Sequence, residues 1–72
     1  MKMLREARAE AGLTQRALAA RLEKPQSYVH KCEVGDRQLN VVELRAWCEA
    51  LGLPWIEFLQ RFDERLLNSQ GE

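Results

Sequence analysis

The side chains best suited to chemistry in this chain lie together, in the run Gln26-Ser27-Tyr28-Val29-His30-Lys31. On a helical wheel at about 100° per residue, Val29 and Cys32 fall on one side, flanked by Pro25 and Glu33. Ser27 and Lys31 fall on the opposite side. Gln26 and His30 share one flank of that outward face, and Tyr28 takes the other. The face offers an amide, a hydroxyl, a phenol, an imidazole and an ammonium, with no acidic residue at its centre. Such groups hydrogen-bond base edges in a DNA major groove: Gln pairs with adenine, Lys with guanine, Ser with several bases.

Reactive chemistry is not expected. The chain has no Ser/His/Asp set and no glycine-rich loop that could cradle a phosphate, and its single histidine sits on a surface helix. Cys32 and Cys48 stand 16 residues apart without a CxxC pair, and a zinc site needs four N/S ligands. The two thiols read as reduced, small apolar groups in a cytoplasmic protein. No enzyme activity, metal or cofactor is expected.

Breakers divide the chain into five helical pieces, and no stretch alternates as a strand would. The first helix is expected from Lys2 to Ala11, closed by Gly12 as a left-handed cap. The second follows Thr14, a good N-cap, and runs to Leu22. Pro25 marks a third start, from Gln26 to Glu33, ending before Gly35-Asp36. The fourth has the clearest start: Asn40 with Glu43 three residues on is a capping-box pattern, and Leu39 and Leu44 form a hydrophobic staple. Its inward stripe reads Val41, Leu44, Cys48 and Leu51, with Trp47 beside it, and Gly52 ends it. Pro54 opens the fifth, which runs to Leu67. Residues 68–72 read as a frayed tail, leaving one compact all-α domain over 1–67. The short turn between helices two and three forces a steep crossing, for which Ala19 is the small contact residue.

The 72 residues, 46% hydrophobic and 31% charged, suffice for one small core. Domains of this size gain support from a disulfide, a metal or a partner subunit. The longest uncharged stretch, Ala50 to Ile56, is seven residues, against the roughly 20 of a membrane span. Charges after Met1 exclude an apolar secretory core there. The net charge of zero hides a division. Residues 1–37 hold eight basic and five acidic side chains, and residues 38–72 hold three and six. The half with the steeply crossed helices is positive, as phosphate attraction requires.

The ordered set Leu13-Thr14-Gln15-Arg16-Ala17-Leu18-Ala19-Ala20-Arg21-Leu22, Pro25-Gln26-Ser27-Tyr28-Val29, Glu33, Gly35, Arg37 and Val42-Glu43-Leu44 to Leu51-Gly52 resembles the lambdoid repressor and Cro family, the xenobiotic-response-element type of helix-turn-helix protein. The resemblance covers roughly Leu4 to Leu59. It implies a five-helix, lambda-repressor-like domain that regulates transcription as a homodimer on a palindromic operator. Base contact is implied for Gln26, Ser27 and Lys31, and base or backbone contact for Tyr28 and His30. Gln15 matches a glutamine that grips phosphate and buttresses the first reading residue. Arg37 and Asn40 fall in a loop that contacts phosphate, and Arg16 and Lys24 join the expected phosphate contacts. Arg8 and Glu33 match a pair that bridges helices one and three. Two departures stand out. Glu23 occupies a turn position where many members have glycine, and Cys32 replaces a larger aliphatic residue.

On the fifth helix Trp55, Phe58, Leu59, Phe62 and Leu66 form a stripe adjoined by Ile56 and Leu67. Its arc is wider than the roughly 100° needed to face one core. The expected dimer surface is therefore Trp55, Ile56, Phe58, Phe62 and Leu66. Two other readings use the same fold: an antitoxin that masks a toxin partner, and a protein-interaction module that has lost DNA binding.

Overall fold

A computed structural model describes residues 2–70, with side chains through 68. Five helices follow in order: α1 (Lys2–Glu10), α2 (Gln15–Leu22), α3 (Gln26–Val34), α4 (Val41–Leu51) and α5 (Trp55–Gln70). There is no strand among the described residues. The expected all-α, five-helix architecture is present, with boundary shifts. α1 stops one residue early, because Gly12 and Leu13 turn back onto the carbonyls of Ala9 and Arg8. α3 gains one residue. α5 continues three residues past Leu67 to Gln70, and the last two residues of the expected tail lie outside the described residues.

Local chemistry accounts for the helix starts. Thr14 caps α2 by accepting the Ala17 N–H. Both halves of the α4 capping box are made: Asn40 Oδ1 accepts from Glu43 N at 2.8 Å, and Glu43 Oε1 accepts from Asn40 N at 3.1 Å. Leu39 and Leu44, the staple pair, both pack against the core.

The core joins Met3 and Leu4 of α1, Leu18 and Ala19 of α2, Val29 and Cys32 of α3, Trp47 and Cys48 of α4, and Phe58 of α5. The α2–α3 pair forms the most extensive helix contact, and Ala19 is buried there as the crossing requires. On α4 the inward stripe differs from the expected one. Trp47 is fully buried, whereas Val41 is 69% exposed. On the wheel the covered positions Leu44, Trp47, Cys48 and Leu51 centre about 70° from Val41, so Val41 stands at the edge of the stripe. Arg21 of α2 donates to the Ala50 carbonyl at 2.8 Å, satisfying an acceptor in the last turn of α4 that has no helical partner.

Glu23 ends α2 in the left-handed region, at φ 56° and ψ 42°. Its N–H and that of Lys24 close the helix onto Ala20 and Ala19. For an L-residue this conformation costs about 1–2 kcal/mol, more than the extra unfolded-state freedom of glycine, roughly 0.5–1 kcal/mol. Glu23→Gly is therefore expected to stabilise the domain by about 0.5–1 kcal/mol, raising Tm by a few degrees in a thermal melt. An unchanged or lowered Tm refutes the strain.

Burial pushes the Cys32 and Cys48 thiols above their ordinary pKa, so neither is an activated thiolate. Beside Cys32 a cleft of about 340 Å³ is lined by Leu4, Cys32, Gly35, Arg37, Gln38 and Leu39. Cys32 itself is 1% exposed and packed within the core.

Candidate nucleic-acid interface

The site is assembled outward from a buried ion pair. Arg8 of α1 grips Glu33 of α3 with two nitrogens, Nε to Oε2 at 2.6 Å and Nη2 to Oε1 at 3.1 Å. Its remaining Nη1 donates to the Leu13 carbonyl at 2.8 Å. Gln15, the first residue of α2, donates Nε2 to Glu33 Oε1 at 3.0 Å. Gln26, the first residue of α3, donates Nε2 to Gln15 Oε1 at 3.5 Å. Four side chains from three helices thus tie the exposed end of α3 to the inside of the protein. Burial alone would push the Glu33 carboxyl up. The hydrogen bonds from Arg8 and Gln15 and the Arg8 charge outweigh it and hold the group below the usual carboxylate range.

α3 divides as the wheel requires. Val29, Cys32 and Glu33 are buried, while Gln26, Ser27, His30 and Lys31 are all exposed. Tyr28 differs from its neighbours. Its ring packs against the core, and its hydroxyl donates to Glu43 Oε2 at 3.4 Å. Two cations lie over the ring, Lys24 Nζ at 5.6 Å and the Arg37 guanidinium at 5.0 Å from the centroid. Burial raises the phenol above its ordinary pKa. The buried Trp47 indole N–H stands beside this hydroxyl but makes no well-formed hydrogen bond.

The expected phosphate contacts form the rim. Arg16 is exposed in the first turn of α2 and Lys24 just after its end, and Arg37 and Asn40 are exposed in the connection to α4. Asn40 uses its side-chain oxygen in the α4 cap, so its amide NH₂ is the group it can offer to phosphate. Arg37 is paired, Nη2 to Glu43 Oε2 at 2.7 Å. The part played by Glu43 was missed from sequence beyond its cap. It receives Asn40 N, Arg37 and Tyr28, and the bonds from Asn40 and Arg37 lower its pKa from the ordinary carboxylate value.

The helix-turn-helix family profile matches residues 4–58. A solved XRE-family like protein from Pseudomonas syringae pv. tomato str. DC3000 is 42% identical, covering 86% of this chain and 78% of its own, with a TM-score of 0.79. The chain belongs to the Cro/C1-type (XRE) helix-turn-helix family. The restriction-modification controller protein C.Esp1396I superposes on this XRE-family chain with a TM-score of 0.83 at 23% identity, over 90% of this chain and 86% of that one, a likeness of fold. No curated protein matches the chain. As a Cro/C1-type protein it is a DNA-binding transcription regulator. No metal-binding cluster occurs among the described residues, and no helix there is long and apolar enough to cross a membrane.

The expected dimer surface of this XRE-family chain needs one correction. Phe58 is 1% exposed and sits in the protomer's own core, so it faces no partner. Trp55 and Phe62 are partly buried against that core. Ile56 at 63% and Leu66 at 46% are exposed, with Leu59 and Leu67 beside them. At about 100° per residue these four fall within one arc of roughly 100° adjoining the core face. Position 58 lies on the other side of that boundary, which the sequence pattern alone did not mark.

Proposed function

We propose that this regulator binds a palindromic operator as a homodimer and represses by occupying it. The outer face of α3 enters the major groove, where Gln26, Ser27, His30 and Lys31 read base edges and Tyr28 flanks them. Gln15, Arg16, Lys24, Arg37 and Asn40 hold phosphates on either side. The observation that carries this reading is the division of α3: Gln26, Ser27, His30 and Lys31 of its outward face are open, Tyr28 packs at its edge, and its first residue contacts Gln15. That contact restrains the amide before DNA arrives, so less freedom is lost on binding.

One short helix reads few base pairs. Two copies set one DNA turn apart, about 34 Å, double the reading and impose two-fold symmetry on the site. The exposed face of α5 supplies the apolar area for such a pair. An apolar patch rimmed by polar residues marks an interaction site.

Selection of bound duplexes from a random pool tests the reading. The expected winners carry an inverted repeat, and a pool without enrichment refutes it. Ile56→Glu and Leu66→Glu change exposed positions, so the helical circular dichroism should persist. Sedimentation should then fall to the monomer mass. A dimer that survives both changes removes α5 as the interface.

A further inference from the structure

We propose that Glu43 is an internal competitor for the DNA backbone: it holds Arg37 in the free protein and thereby lowers affinity for every sequence alike. The inference rests on the DNA-binding reading and deepens it.

The geometry around Glu43 is asymmetric. Its Oε1 is anchored to Asn40 N at 3.1 Å, within the capping box. Its Oε2 takes Arg37 Nη2 at 2.7 Å and the Tyr28 hydroxyl at 3.4 Å. A carboxylate held by its own helix start cannot follow Arg37 outward. Arg37, by contrast, stands in the connection between α3 and α4 with its side chain 47% exposed and its guanidinium 5.0 Å from the Tyr28 ring centroid. It is the member of the pair not tied to a helix start.

Phosphate and carboxylate compete for the same guanidinium fork. An ion pair this open is weak, so exchange is accessible. It is not neutral, however. When Arg37 moves to a phosphate it leaves behind an ionised carboxylate on the side of the protein that faces the duplex. That charge repels the backbone. While the pair is intact, Arg37 also contributes little net charge toward displacing counterions, so the salt dependence of binding is shallower than the number of basic side chains suggests.

Glu43→Gln separates the two roles of this residue. Glutamine still completes a capping box, so α4 keeps its start, while the charge that captures Arg37 is gone. A random-sequence duplex serves as the probe, titrated against wild type, Glu43→Gln, Arg37→Ala and the double variant across a range of salt. Thermal melts of each variant establish that it is folded. Glu43→Gln is expected to bind about five- to tenfold more tightly at low salt, with a steeper log–log salt slope, by about one per protomer. Arg37→Ala weakens binding, and adding Glu43→Gln to it relieves only the repulsion of the stranded carboxylate, a smaller gain than in the wild-type background.

If Glu43→Gln binds no better than wild type, Glu43 orients Arg37 rather than competing for it, and the proposal is overturned. If the gain is as large in the Arg37→Ala background, the effect is bulk charge repulsion, and the proposal is likewise overturned. A wild-type chain that ignores the duplex even at low salt refutes the DNA-binding reading itself, a result distinct from either.

Discussion

Gln26→Ala is expected to weaken binding to the selected operator by about 2–6 kcal/mol, while binding to random duplex changes little. A well-formed base contact contributes about 1–3 kcal/mol of discrimination, and a homodimer on an inverted repeat makes each contact twice. Even the lower end is a loss of roughly 30-fold. Ser27→Ala should act in the same way at a neighbouring base pair. Both side chains are exposed on α3, and neither belongs to the core, so the folded state should be intact. The check is competition binding against operators changed at one base pair at a time. The variant should lose preference at one position and keep it elsewhere. Preference retained everywhere shows that another face of the protein reads the bases.

Arg8→Ala is expected to leave most of the chain unfolded at 25 °C. Glu33 is 7% exposed, and removing Arg8 strands its charge there. Breaking a buried pair by deleting one partner costs about 3–5 kcal/mol, as much as a core of this size supplies. The double variant Arg8→Met with Glu33→Leu removes both charges and should recover most of the loss. Urea unfolding of the three proteins checks this, and a mild effect of Arg8→Ala refutes it. Acid provides a second readout. The folded Glu33 carboxyl lies below its ordinary value of 4.5. Its stabilising contribution is therefore fully present above that value and fades as pH falls through the folded value. In Arg8→Ala the hydrogen bonds and charge of Arg8 no longer lower the carboxyl, while the Gln15 bond remains, so the Glu33 part of the acid slope should flatten.

Much of this architecture is legible in the residue order. Gly12, Pro25, Gly52 and Pro54 interrupt the helical period where the helices stop and start, and the Asn40–Glu43 box marks its helix to the residue. Thr14 does the same for α2. These are local signals, and they are read within a few residues of where they act. Depth is not local. A wheel does not say how far the covered arc extends, so it admits Val41, which is exposed at its edge, and sets aside Trp47, which is buried. The wide arc on α5 likewise cannot divide Phe58, which is inside, from Ile56, which is not.

The site was legible to a similar degree. The polar face of α3 follows from spacing alone, and the bridging of Arg8 and Glu33 follows from the family pattern. The resemblance also implies the Gln15–Gln26 contact, and the capping box the Asn40–Glu43 one; what neither indicates is that Gln15 also binds Glu33, or that Glu43 also takes Tyr28 and Arg37. Both depend on how the helices cross, and that crossing is set by the packing of Leu18, Ala19 and Val29.

α1 is clasped on two sides. Its Arg8 reaches inward to Glu33 of α3, and its Glu6 and Glu10 reach outward to Arg65 and Arg61 of α5. The first helix is thus a coupling rod between α3 and the helix with the open apolar face. Its two joints differ in kind. The inner one is sheltered from ions, whereas both ion pairs of the outer one are open to screening. Rising ionic strength should slacken the outer joint alone, loosening the hold of α1 on α5 while its hold on α3 persists.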